Sequence, residues 1–340
     1  MTLMSLFAFV TELCRDRDVT PDATRADECR ATGAPSTSAA AIAAQAGAKA
    51  SAENFPVALR LLPRRYRGHL AAVYGFARSV DDMGDEAAPQ ERAALLDELE
   101  ADVGRLYQMV SRSPGGGRTG GEGAGGRGNE GPGGGPPRLS AVRALAPAVV
   151  ACAIPAQPFY DLIAANRQDQ VVSRYATFGD LEDYCRLSAN PVGRIVLHVF
   201  GAATPEREAL SDRVCTALQL AEHWQDVAED LRAGRIYLPQ EDMERFGCTE
   251  DDLAAPRATP KVRDLIAFEE RRARELLDAG APIVGTLRGA ARAAVAGYVA
   301  GGRAALAAIA ASGYDVLRAT PRPAGARVAA ELVRAYATGR

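Results

Sequence analysis

The sequence predicts an all-α chain, built as a single helical domain, and three observations lead there. Over residues 53–112 and 138–335, apolar side chains recur three and four positions apart, the period of a helix face. The same stretches are rich in Ala, Leu, Arg and Glu, which lose little side-chain freedom in a helix. Alternating β-branched runs, the mark of half-buried strands, are scarce.

Residues 3–10 are apolar but lack a basic leader and are followed by Glu12, Arg15 and Asp16, a poor secretory signal too short to span a bilayer. Residues 14–52 are rich in Ala, Thr, Ser, Asp and Arg without apolar period, so 1–52 reads as a disordered N-terminal extension. The helical domain follows over 53–335. A flexible glycine-rich insertion interrupts it at 113–137, where 13 of residues 115–135 are glycine. That insertion has no lysine, so it is not a phosphate-cradling Gly-Lys-Ser/Thr loop. Beyond it, Thr177 with Asp180 reads as a capping box. Breaks are expected at Pro155, Pro158, Pro205, Pro239, Pro256 and Pro260.

Composition excludes several function classes. Forty basic residues against 43 acidic give a net charge of −3, with no polybasic footprint, so no nucleic-acid partner is expected. Only Lys49 and Lys261 are lysine, leaving 38 arginines, a bias typical of GC-rich coding. Six scattered cysteines without a C-x-x-C pair indicate neither a zinc site nor a disulfide framework. No uninterrupted apolar run is long enough to span a bilayer, so the expected location is cytoplasmic, at most peripheral to a membrane.

The chemistry lies in two acidic segments. In residues 66–86, YRGHLAAVYGFARSVDDMGDE, Asp81 and Asp85 are four apart, which on a helix puts both carboxylates on one face, with Arg78 and Tyr74 continuing the stripe. In residues 215–238, CTALQLAEHWQDVAEDLRAGRIYL, Asp226 and Asp230 repeat the spacing, with Gln219 and Glu222 upstream. A solvated charged face is the ordinary reading of either pair alone. Two such faces turned together need cations between them. Mg²⁺ answers this, since it takes one or two carboxylates and completes its shell with waters and phosphate oxygens. Arg78 and Arg235 stand beside the pairs as phosphate partners. A di-iron site is excluded, because no carboxylate lies three residues before His69, His198 or His223.

Four ordered motifs, FPVALRLLP (55–63), YGFARSVDDMGDE (74–86), YCRLSANPVG (184–193) and QLAEHWQDVAEDLRAGRIYLP (219–239), resemble the squalene/phytoene synthase family. The resemblance implies an isoprenoid synthase-type helical bundle with a central active-site cavity, Mg²⁺-dependent and acting on prenyl diphosphates. Within the family the segments ENFPVA, SANPVG and HWQDVAEDLRAGRIYLP are most similar to the branch that converts presqualene diphosphate to hydroxysqualene for hopanoids. That similarity implies possible contacts with a membrane surface and with hopanoid-pathway enzymes. By resemblance Asp81, Asp85, Asp226 and Asp230 match metal-binding aspartates, Asn54 and Arg78 contact diphosphate, and Phe55, Tyr74, Gln219 and Tyr298 line the prenyl channel. Tyr184 matches the tyrosine of a family motif whose AG-x-VG continuation is replaced here by residues 189–193. Glu222 departs from the wider family, which has asparagine there as a metal ligand, and so changes the charge of the second cluster.

Ionising a prenyl diphosphate leaves an anion and a carbocation. Mg²⁺ and arginine suit the first, and the faces of Phe55, Tyr74 and Tyr298 suit the second, although core packing is their commoner role. Glu222, with His223 beside it, is the candidate for orienting the water that ends the reaction. Two alternatives stay open: head-to-head condensation giving presqualene diphosphate, squalene or phytoene, and a non-catalytic protein that binds a prenyl diphosphate.

Overall fold

The computed structural model describes residues 62–112 and 135–340, and among them every regular element is helical. The expected N-terminal extension and residues 113–134 of the insertion lie outside the described residues. Helix α1 (Arg64–Asp81) follows Pro63 and buries Leu70, Val73, Phe76, Ala77 and Val80, the three-and-four spacing read from the sequence. Each large apolar side chain buried this way contributes about 1.5–3 kcal/mol at most. A π-helical turn, Asp82–Glu86, leads to α2 (Arg92–Arg112), and α3 (Ser140–Cys152) follows the insertion. Helix α4 (Gln157–Gln168) meets α1 through an edge-on contact of Phe76 and Phe159, centroids 5.1 Å apart.

The capping box forms before α5 (Phe178–Ser188): Asp180 N–H donates to Thr177 Oγ1 at 3.1 Å, and Thr177 N–H to the Asp180 carboxylate at 2.9 Å. Helix α6 (Asn190–Val199) packs on α7 (Pro205–Gln225), and a Cβ on Gly193 would collide with Ser211 and Cys215, so glycine permits this close approach. Helix α7 also packs on α11 (Pro260–Gly280) and α13 (Gly289–Ala311), and it is buried nearly all round, as befits a central helix. Between them lie the short helices α8 (Val227–Arg232), α9 (Gln240–Arg245), α10 (Glu250–Leu253) and α12 (Ile283–Thr286). The last helix, α14 (Gly325–Thr338), lies on α13 and runs past the expected boundary at 335.

Four of the six prolines expected to break helices stand at helix starts. Pro205 and Pro260 open α7 and α11, Pro158 sits in the first turn of α4, and Pro239 caps α9. Cys152, Cys185, Cys215 and Cys248 are free thiols. Helix α13 is long and apolar enough to cross a membrane by length and composition, yet over half of its apolar window is buried inside the bundle.

Glu269 of α11 is fully buried beside Arg272 (3.2 Å), which also bonds Asp242 of α9 at 2.8 Å. Burial pushes its carboxyl up to about 8 despite Arg272. The folded state therefore holds a proton that the unfolded state releases, and folding loses stability as pH rises from about 4.5 to about 8. Melting of Glu269→Gln across that range is expected to lack this loss, on the order of 3 kcal/mol. Parallel melting-temperature profiles for the two proteins would contradict it.

Candidate active site

The two acidic segments meet at the C-terminal end of α7, around a cleft of about 350 Å³ lined by Asp85, Arg92, Glu222, Asp226, Asp230 and Arg235, with His223 and Tyr237. The first segment departs from the expected single helix face. Helix α1 ends at Asp81, and the next residues widen into the π-helical turn, closed by Ala87 N–H to Asp82 O at 3.2 Å. The wider turn sets Asp85 on the cleft while Asp81 faces α4, where Asn166 Nδ2 donates to its Oδ1 at 3.4 Å. Gly84 packs closely in this turn, since a Cβ there would meet the Asn166 side chain and push it away from Asp81. Arg92 holds the turn, donating from Nη2 to Asp85 O (2.8 Å) and from Nε to Ala87 O (2.9 Å). Arg78 does not line the cleft; its Nε donates to Asp82 at 2.8 Å, and Glu86 lies 3.6 Å away.

The second segment is not one helix either. Asp226 has φ −105° and ψ 16°, which ends α7 at Gln225 and starts α8 at Val227. Its carbonyl accepts the N–H of Glu229 (2.8 Å) and Asp230 (2.9 Å), so Asp226 caps the second helix while Glu222, Asp226 and Asp230 all keep facing the cleft. Burial, and then the neighbouring Asp226, pushes the Asp230 carboxyl up to about 7. Burial likewise pushes Asp81 up to about 7.

Arg235 joins the two segments, its Nη2 donating to Asp85 Oδ1 at 3.1 Å across 150 residues of sequence. The strand-like pairing of Arg174 with Ile236 positions it, with Ile236 N–H to Ser173 O and Gln240 N–H to Tyr175 O both at 2.9 Å. Burial works against its charge, but Tyr237, Asp169 and Asp85 hold the guanidinium above its usual range.

Behind the cleft stands a wall of rings. His223 and Tyr237 stack at 3.6 Å and 14°, and Tyr175 and Tyr184 pack against Tyr237 at 5.7 and 5.9 Å. Burial pushes His223 down to about 3, so the imidazole is neutral. Gln219, fully buried, lies with Nε2 3.1 Å from His223 Nε2. Tyr184 donates to Asp169 Oδ2 at 3.0 Å, and burial pushes Asp169 up to about 6 despite Arg235 and that bond.

Of the residues expected to line a prenyl channel, Tyr74, Gln219 and Tyr298 fall within the described residues. Tyr74 is buried in α1 and does not line the cleft, whereas Tyr298 of α13 lines a separate narrow pocket of about 30 Å³ with Val196, Cys215 and Val295. Asn54 and Phe55 lie outside the described residues. The sequence reading misses Arg92, Asp169, Glu229 and Tyr237 at the site. Asp169 left one trace in the sequence, since an acid at a helix C-terminus, here that of α4, opposes the helix dipole.

The donor set fits a hard divalent cation. Five carboxylates, those of Asp85, Glu222, Asp226, Glu229 and Asp230, line the cleft against the guanidiniums of Arg92 and Arg235, and buried Asp81 Oδ2 has no hydrogen-bond partner among the described residues. Among those residues no three acids, histidines or cysteines converge closely enough to hold a metal ion by themselves, so waters and phosphate oxygens would have to complete the shell of a Mg²⁺.

Residues 48–328 match the family model for squalene/phytoene synthase. The chain belongs to the squalene/phytoene synthase family. It is therefore an isoprenoid synthase, of the class that works head to head on prenyl diphosphates. It is 32% identical over 239 residues to the hydroxysqualene synthase of Sinorhizobium fredii, covering 69% of this chain and 72% of that one. It is 28% identical over 240 residues to the phytoene synthase of Mycobacterium bovis, covering 69% and 70%. Among solved structures, squalene synthase HpnC of Alicyclobacillus acidocaldarius superposes with a TM-score of 0.67 at 40% identity, over 80% of this chain and 95% of that one.

Proposed function

We propose that this family member converts presqualene diphosphate and water to hydroxysqualene and diphosphate. The observation that carries the reading is the acidic cleft bridged by Arg235, with a neutral ring wall behind it and the unusual Glu222 on its rim. Likeness to hydroxysqualene synthases supports the choice of substrate within the family. Asp85, Glu222, Asp226 and Asp230 would hold Mg²⁺, with Asp81 behind them. When bound, the ion supplies positive charge that stabilises the leaving diphosphate.

The chain's own groups divide the remaining work. Arg235, permanently charged, binds diphosphate oxygens and orients the leaving group. His223 stays uncharged, so it does not repel a carbocation, and the ring of Tyr237 on the cleft offers polarisable surface without a strong nucleophile, with Tyr184 packed behind it. Glu222 accepts a hydrogen bond from the incoming water, orients it toward the cation, and takes the proton released as the C–O bond forms.

Purified protein with Mg²⁺ and without NADPH is expected to turn presqualene diphosphate into hydroxysqualene, and to leave farnesyl diphosphate unchanged, as read by mass spectrometry. Condensation of farnesyl diphosphate would instead assign the synthase activity of the phytoene-forming relatives. Glu222→Asn is expected to lower the hydroxylated fraction of product. An unchanged fraction would remove Glu222 from water capture.

A further inference from the structure

The C-terminal part of the chain is charged unlike the rest. Residues 281–340 hold eight arginines against Asp315 and Glu331, a net of +6 in a chain whose net is −3. Helix α14 carries two apolar faces. Val328 and Ala335 are buried against α13. Ala326, Ala329, Val333, Tyr336 and Ala337 form a second stripe, turned roughly 150° around the helix from the first. It faces outward: Val333 is 69% exposed and Tyr336 46%. Arg327 and Arg334 border it, sharing Glu331 at 3.9 Å each, and Arg292 of α13 lies over the Tyr336 ring at 4.9 Å.

The helix packs on α13 and α12. The segment before it is tied to the cleft end, where the Gln225 side chain donates to Pro321 O. Its far end reaches α12, with Gly339 against Gly285, two residues from Ile283 in the narrow apolar pocket.

We infer that the outer stripe of α14, with its arginine edge, docks the protein on an anionic lipid bilayer. The inference rests on the proposed prenyl diphosphate chemistry for its purpose, since so apolar a substrate resides in a bilayer. A shallow apolar stripe flanked by arginine is the pattern of a helix that lies in the headgroup region, and the exposed Arg327 and Arg334 on its edge complement anionic lipid. A second copy of the chain fits less well. The stripe is about 20 Å long and about 10 Å wide, far below the roughly 800 Å² per partner of a stable interface. Antiparallel pairing would also set the arginine edge of one copy against that of the other.

The test is sedimentation of the full chain with vesicles of phosphatidylcholine alone and with about 30% phosphatidylglycerol. Binding is expected to the anionic vesicles only, and to weaken with salt. Val333→Asp/Tyr336→Asp and, separately, Arg327→Gln/Arg334→Gln are each expected to weaken it by at least about tenfold with unchanged melting temperature. Equal binding of the variants, or no binding of the parent chain, overturns the inference. A dimer in sedimentation velocity that the Val333→Asp/Tyr336→Asp variant loses would also overturn it, assigning the stripe to a second copy. Binding is read without turnover, so its failure leaves the proposed reaction standing, and an inactive protein that still binds fails only that reaction.

Discussion

Asp226→Asn is expected to lower kcat by about 10²–10³ with helicity intact and no fall in melting temperature. The carboxylate sits where α7 breaks, on the cleft, between Glu222 and Asp230. Its loss removes charge from the group of residues that would hold the cation and the diphosphate, while the backbone bonds that cap α8 use the carbonyl and survive. Stability does not fall, because Asp226 is itself one cause of the raised proton affinity of Asp230. Removing that repulsion relieves a strained pair of acids. The measurement is single-turnover kinetics on presqualene diphosphate beside a thermal melt. Parental turnover in the variant would place the chemistry elsewhere; loss of turnover together with melting would mean that Asp226 is structural.

The second large effect concerns the frame. Asp102 of α2 is fully buried and accepts backbone N–H groups from Arg138 (2.7 Å) and Leu139 (2.8 Å), together with Arg105 Nε at 2.8 Å. It thus fastens the chain at the point where it re-enters the bundle to start α3. Asp102→Ala leaves two amide donors and a guanidinium without this partner, and is expected to cost about 3–5 kcal/mol. At this size that lowers the melting temperature by roughly 10 °C, read by circular dichroism. Asp102→Asn keeps one acceptor oxygen and is expected to fall between the two. A shift below about 1 kcal/mol would show that water replaces the carboxylate.

What the sequence made legible was local or periodic. The capping box at Thr177 needs only residues three apart, and the buried stripe of α1 needs only the helical period. The acidic segments were found by spacing, but their shape was not. No proline or glycine marks the break at Asp226, and the π-helical turn packs Gly84 against Asn166, a contact across 82 residues that local spacing does not show. Arg235 was singled out beside its own motif, whereas its bond to Asp85 depends on how residues 173–176 pair with 236–241. Asp169 sits in no motif and acts through burial beside Tyr184, which a linear reading does not reveal.

The break at Asp226 divides the cleft into a firm side and a soft one. The turn carrying Asp85 has Asp82, Met83 and Gly84 buried and is clamped by Arg92, whereas α8, which carries Asp230, buries only Val227 in its six residues. Local opening on the second side therefore costs far less than on the first. A diphosphate that bridges the two sides must order α8 as it binds, and that part of its interaction energy does not appear as affinity. The product anion leaves more readily for the same reason, because fraying of a single six-residue helix withdraws Asp230 from the carboxylates that would hold the cation beside it.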